Sequence, residues 1–299
     1  MTDLIAHKAV ELDKVKAARR KVLSQPGYLD QHYLAQPKYD GCFGVADLQE
    51  RKMLTRTNEI IKSCDHVLRD LESCGFGNRV VFGELWKPDM EQSKISGDVR
   101  RHTPAPHLNF VVFDCVTSEE FDVGYSAVPY AERMAFVWRT FDAAFRVPAF
   151  SAHTCVPVIH YNPGTYGQHE ALRDQYLAKG GYDGLILRDQ DAPWVMGSGT
   201  GGEIIKSKRV LSFDLEVLGV NEGTGKMRGM AGTLTLRWKD GKIIEAGGLD
   251  YATRREWLAN PAAIVGKIVE VEAMDYSTDG LLREPRIKSV RFDKERADF

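Results

Sequence analysis

A chain of 299 residues has room for two domains of ordinary size. Its 43% hydrophobic share and net charge of −2 argue against a disordered chain and exclude an argument for nucleic-acid binding from bulk basic excess. No apolar run reaches the roughly 20 residues needed to span a bilayer, and the opening Met1 to Lys8 lacks the basic-then-apolar pattern of a secretory signal.

The first predicted element is a helix over residues 3–23, with apolar positions at Leu4, Ile5, Ala9, Leu12 and Val15 and a stop at Pro26-Gly27. Lys38-Tyr39-Asp40-Gly41 reads as a turn, and residues 43–48 alternate as a strand. A second helix reads from an Asn58 N-cap. Ile60, Ile61, Cys64, Val67, Leu68 and Leu71 give it one apolar face, and Gly75 is its stop. Strands follow at 80–84 and 110–114, helices at 130–144 and 168–179, and strands at 184–188 and 203–206. The Gly-rich run 197–202 lacks the Lys-Ser/Thr ending of a phosphate-binding P-loop, so its glycines do not indicate Walker chemistry.

After Arg209 the pattern changes to short strands at 213–220, 232–238, 242–246 and 267–274. One helix interrupts them, opened by a capping box at Thr253-Arg254-Arg255-Glu256. Several short strands and one helix suit a small OB-type barrel. The expected fold class is therefore α+β, with a first domain over 1–209 and an OB barrel over 210–299. The cysteines Cys42, Cys64, Cys74, Cys115 and Cys155 are odd in number and form no CxxC pair. They read as small core residues of a reducing compartment, with the cytoplasm as the expected address.

The chemistry concentrates in an ordered series. Lys38 in Lys38-Tyr39-Asp40-Gly41 can attack phosphorus once its amine has lost a proton, which nearby cations and a metal promote. Thr55-Arg56-Thr57, Phe82-Gly83-Glu84, Val112-Phe113-Asp114, Tyr182-Asp183-Gly184 and Lys206-Ser207-Lys208 follow. Lys206 and Lys208 stand two apart on a strand, so period 2 turns both to one side. The series closes with Arg283-Glu284-Pro285-Arg286 and Arg291-Phe292-Asp293-Lys294.

This set resembles the covalent nucleotidyltransferase superfamily, and within it the compact two-domain ATP-dependent DNA ligases of viral and phage type. The resemblance spans residues 35–294, and the closing segment is its most specific piece. It implies a nucleotidyltransferase (adenylation) domain with antiparallel sheets ahead of the OB barrel. It implies that Lys38 takes AMP from ATP and releases pyrophosphate, with Gln36, Asp40 and Gly41 among the nucleotide contacts. Arg56 would bind the ribose region and the 5′-phosphate at the nick. Glu84 would hold the ribose hydroxyl, Phe113 would stack on adenine, and Glu84 and Asp183 would serve Mg2+. Lys206 and Lys208 would act on the α-phosphate, while Arg291, Asp293 and Lys294 would orient the pyrophosphate. The implied partner is nicked duplex DNA, bound by a monomer with no membrane association. A rotation about the linker near Lys208-Arg209 would let the barrel serve the nucleotide first and the duplex next.

Three positions depart from the family pattern. Phe43 stands where the family has arginine, Asp183 where it has glutamate, and Arg188 where lysine is frequent. Between two barrel strands, Lys226 and Arg228 lie in a basic, glycine-rich loop suited to DNA phosphates. The balanced total charge thus hides local basic clusters at 206–209, 226–228 and 283–296. The alternatives are an mRNA capping guanylyltransferase, which would take GTP, and a non-catalytic OB-fold nucleic-acid-binding protein. Pro285-Arg286 speaks against the first, and the intact Lys38, Glu84, Lys206 and Lys208 against the second. An RNA ligase is disfavoured because its C-terminal domain is usually not an OB barrel.

Overall fold

The computed structural model describes residues 4–146, 154–162, 168–208, 210–277 and 279–299. Asp3 of the expected first helix and Arg209 of the first basic cluster lie outside the described residues. The chain divides into two compact units, Met1–Lys208 and Arg209–Phe299.

The first unit is built on two main sheets. A four-stranded sheet runs Val10–Glu11, Ile204–Ser207, Tyr182–Asp189, Tyr33–Tyr39. A five-stranded sheet runs Lys52–Leu54, Cys42–Asp47, Arg79–Trp86, Asn109–Thr117, Cys155–Pro157. All pairings are antiparallel except those of Val10–Glu11 and Cys155–Pro157 at the sheet edges. The central strand Arg79–Trp86 is apolar on both faces because both are covered. Val81 and Leu85 pack with Val67 and Leu71 of the helix Asp65–Cys74 and with Val137 and Phe141 of the helix Tyr130–Phe145. Val80 and Phe82 face Val45, Val116 and Trp194 on the other side. Each fully buried Val, Leu or Phe of this kind stabilises the fold by about 1.5–3 kcal/mol. The turn at Asp40-Gly41 carries the chain from the Tyr33–Tyr39 strand of one sheet to the Cys42–Asp47 strand of the other.

The second unit is an OB barrel. Its sheet order is Ile243–Ala246, Ala231–Arg237, Leu211–Glu222, Ile268–Ala273, Arg286–Val290. The long first strand serves two partners, bending at register shifts between Val217 and Gly219 and between Asn221 and Glu222. The ends meet through a bridge from Gly247 to Arg286, with Ile287 N–H donating to the Gly247 carbonyl at 2.8 Å. Leu215, Val217, Leu234, Leu236, Trp238, Val269 and Val271 fill the interior.

Several expectations are corrected. Among the described residues of 3–23 only Ala17–Leu23 is α-helical, with a short 3-10 helix at Leu12–Lys14. His7 pairs with Gly197 and Val10 with Ile205, so strand pairing overrides helix-forming composition. The Gly-rich run is thereby a docking edge for the N-terminal segment, and Lys16 N–H donates to the Thr200 carbonyl at 3.0 Å. The second helix begins at Asp65, not Asn58. Asn58 is left-handed with φ +64, in a turn where Thr55 Oγ1 accepts from Glu59 N–H at 3.1 Å. Gly75 does end that helix, in the left-handed conformation. The barrel helix Tyr251–Ala259 is capped by Asp250, which accepts from Ala252 and Thr253 N–H; Thr253 lies inside the helix. A true capping box stands at Thr117 and Glu120. Lys38 is not in a turn but near the end of a strand.

Candidate active site

Ala35, Gln36 and Pro37 are buried along the Tyr33–Tyr39 strand, and Lys38 is where the strand opens to solvent. The partner strand Tyr182–Asp189 shifts register between Tyr182 and Leu185. The shift contains Asp183 and Gly184. Gly184 has φ +109, and a Cβ there would lie 2.3 Å from the Ser207 carbonyl oxygen, so only glycine fits. Bulges re-aim side chains, and this one sets Asp183 between two strands. Asp183 Oδ2 accepts from Lys38 Nζ at 2.7 Å and pairs with Lys208 Nζ at 2.6 Å. Burial pushes the Asp183 carboxyl up, but the ammonium groups of Lys38 and Lys208 outweigh it and hold the group below the usual carboxylate range.

Lys206 lies on Ile204–Ser207, paired with Ile186, and Lys208 follows one residue past the strand end. Burial pulls Lys206 down, and the charge of Lys38 adds to this, followed by those of Lys208 and Arg56; Glu11 opposes them. Three lysines therefore crowd one place, with Asp183 as the carboxylate shared by two of them.

The five-stranded sheet supplies the opposite groups. Glu84 pairs across the ladder with Phe43. A Cβ on Gly41 would lie 2.3 Å from the Leu85 carbonyl oxygen and 2.9 Å from Glu84 Cγ, so glycine lets the turn press against this strand. Burial pushes the Glu84 carboxyl up to about 7; Lys38 and Arg56 oppose this, Asp40 adds to it, and a Gly41 N–H bond opposes it. Arg56 is exposed in its turn, near enough to act on both Glu84 and Lys206. The partly exposed rings of Phe43 and Phe113 stand 5.5 Å apart, and the Arg188 guanidinium lies 5.0 Å from the centre of the Phe113 ring.

Gln36, expected among the nucleotide contacts, is only 2% exposed. Its Oε1 accepts from Tyr130 Oη at 3.2 Å and lies 3.3 Å from His160 Nε2. Burial pulls His160 down to about 4, with Arg188 adding to the shift and Asp114 opposing it. Beneath this group, Asp114 accepts two bonds from Arg133, at 2.7 and 3.0 Å, and one from Arg188 at 3.3 Å. Sequence reasoning missed Tyr130, Arg133 and His160. The motif around Phe113 contains Asp114, but nothing in the sequence marked its distant arginines.

In the second unit, Arg291, Asp293 and Lys294 gather around Asp214, which sequence reasoning also missed. Arg291 donates from Nε and Nη2 to Asp293 at 3.0 and 2.8 Å and from Nη1 to Asp214 at 3.0 Å. Lys294 Nζ also pairs with Asp214. Lys226 and Arg228 are exposed at the short helical turn Gly225–Met227 and just past it.

No group of three or more His, Cys, Asp or Glu side chains forms a metal cluster among the described residues. The donor set still suits Mg2+, which commonly takes one or two carboxylates and completes its shell with water and phosphate oxygens. Asp40 already disfavours charge on Glu84, so an arriving cation would relieve both. No described helix is long and apolar enough to cross a membrane.

Residues 222–291 match the family model of the DNA ligase OB-like domain. Among curated proteins nothing matches the chain. Of the solved structures, Pmar-Lig_Pre is similar with 19% identity and a TM-score of 0.74, over 98% of this chain and 68% of that one. A structure of the Lig E DNA ligases has 21% identity and a TM-score of 0.68, over 95% of this chain and 99% of that one. The ATP-dependent DNA ligase of bacteriophage T7, in complex with ATP, has 19% identity and a TM-score of 0.52, over 97% and 99% of the two chains. The chain thus has the two-part fold of these proteins: an α+β domain followed by an OB barrel.

Proposed function

We propose that the chain is an ATP-dependent DNA ligase that seals nicks in duplex DNA. The observation that carries this reading is Lys38 held by Asp183 beside Lys206 and Lys208, with Glu84 opposite. A lysine so placed is a candidate nucleophile beside two further cations that attract a phosphate. The fold shared with the T7 ligase–ATP complex supports the same reading.

Lys38 Nζ attacks the α-phosphorus of ATP, the bond to pyrophosphate breaks, and a lysyl-AMP remains. Asp183 Oδ2 is the oxygen already hydrogen-bonded to the reacting nitrogen. Lys206 and Lys208 offset the charge that grows on the α-phosphate. Phe113, widened by Phe43, offers adenine an apolar face, and Glu84 accepts from a ribose hydroxyl. Asp40 and Gly41 shape the nucleotide side of the site, and Gln36, buried two residues before Lys38, supports the strand that carries the lysine. Arg291, Asp293 and Lys294 orient the pyrophosphate. AMP then passes to the 5′-phosphate of the nick, which Arg56 holds. The 3′-hydroxyl attacks that phosphate, the strands join, and AMP leaves. Every step is an in-line displacement in which positioning and charge neutralisation do most of the work. Glu84 and Asp183 would hold Mg2+, which when bound supplies charge neutralisation on the phosphates. Lys226 and Arg228 contact DNA phosphates.

We place the activity in a monomer in the cytoplasm, an address that the five free cysteines, four of them buried, support. Incubation with ATP or GTP labelled at the α-phosphate, followed by denaturing electrophoresis, tests the proposal. Label from ATP on the protein, lost from it and released as AMP when a nicked duplex is added and sealed, is expected. Label from GTP alone would overturn it.

A further inference from the structure

We propose that Asp214 is a positioning residue that withholds Arg291 and Lys294 in the barrel until a triphosphate displaces it. The inference rests on the ligase reading above, in which those two cations serve pyrophosphate departure.

The geometry saturates the arginine. Its Nε and Nη2 donate to the two oxygens of Asp293, and its Nη1 lies 3.0 and 3.2 Å from the two oxygens of Asp214. A guanidinium recognises phosphate through the same in-plane fork that it offers to a carboxylate. Asp293 takes the Nε–Nη2 fork and Asp214 takes Nη1, so a phosphate that uses these donors must compete with a carboxylate. Lys294 is committed to Asp214 as well. Two cations face two carboxylates, so the cluster presents little net charge.

The two carboxylates differ in how firmly they are fixed. Asp293 lies two residues from its arginine, and its side chain is 67% exposed. Asp214 is 6% exposed on the Leu211–Glu222 strand. Its own N–H donates to Asp298 Oδ2 at 2.8 Å, and its carbonyl accepts from Asp298 N–H at 2.8 Å. Arg291 is likewise fixed at its backbone, donating to the Ile268 carbonyl at 2.8 Å. The side chains of Arg291 and Lys294 are therefore the movable parts and Asp214 the fixed one. A triphosphate carries more negative charge than the carboxylates it replaces, so its arrival favours the exchange.

Asp214→Asn keeps the shape and removes the charge. With the full-length protein, the KM for ATP in lysyl-AMP formation should fall several-fold, while sealing of a nick already carrying 5′-AMP keeps its wild-type rate. An unchanged or raised KM, or a loss shared by both reactions, would overturn the proposal. A second measurement leaves Asp214 in place: in Lys38→Ala protein the NMR resonances of Arg291 Nη1 and Lys294 Nζ should shift when ATP and Mg2+ are added, and unmoved resonances overturn the proposal. If the wild type takes no AMP at all, the ligase reading itself fails. If it does and Asp214→Asn matches it, only the latch fails.

Discussion

At the residue scale, charge is balanced at short range, and each balance has a measurable consequence. Glu84 has its carboxyl raised from 4.5 to about 7, chiefly by burial. The folded state then binds more protons than the unfolded chain between these values. Stability from this group is therefore present at low pH and lost as pH rises through about 7. Denaturant unfolding at a series of pH values should show Glu84→Gln losing less stability than the parent across that window. His160 runs the other way: lowered from 6.5 to about 4, it costs stability as pH falls through that range. Asp114 is a harder case. Its removal leaves Arg133 and Arg188 buried without their carboxylate, so Asp114→Ala should cost about 3–5 kcal/mol in chemical denaturation. Asp183→Asn keeps the bulge but removes the charge between two lysines. Lysyl-AMP formation should drop on the order of 100-fold in single-turnover assays.

At the scale of elements, the main strands and helices of both units were legible because long apolar runs and regular periods mark them. The strands around residues 80–84 and 110–114 and the helix Tyr130–Phe145 are of this kind. Misreadings arose where a particular contact, and not composition, decides local shape. Val10 joins a strand because Ile205 is beside it, and Asn58 turns because Thr55 closes the loop. In the site, motif order made Lys38, Glu84, Asp183, Lys206 and Lys208 legible as a set. The Tyr130–His160–Gln36 group and Asp214 were not, since their contacts join residues far apart in the chain. The bulge that aims Asp183 depends on Gly184. Gly184→Ala should destabilise by about 1–3 kcal/mol through left-handed strain and a clash with Ser207, and should lower lysyl-AMP formation with it. Thermal melting and adenylation assays on the same sample check both.

At the scale of the molecule, a net charge of −2 conceals an uneven distribution. Lysines converge around Asp183 in the first unit, while Arg291 and Lys294 are neutralised by Asp214 and Asp293 in the second. Lys226 and Arg228 stay exposed on their loop. If both meet DNA phosphates, changing both to alanine should weaken binding to a nicked duplex and reduce the slope of log K against log salt by about 2; unchanged affinity and slope would remove this loop from the interface. The central claim is that Lys38 carries AMP from ATP to a nick. Sealing of a nicked duplex by wild-type and Lys38→Ala protein tests it most directly, with ATP and Mg2+ on a plain nick and with Mg2+ alone on a pre-adenylylated one. The account predicts that wild type seals both and that Lys38→Ala seals only the pre-adenylylated nick; sealing of the plain nick by Lys38→Ala at the wild-type rate would contradict it.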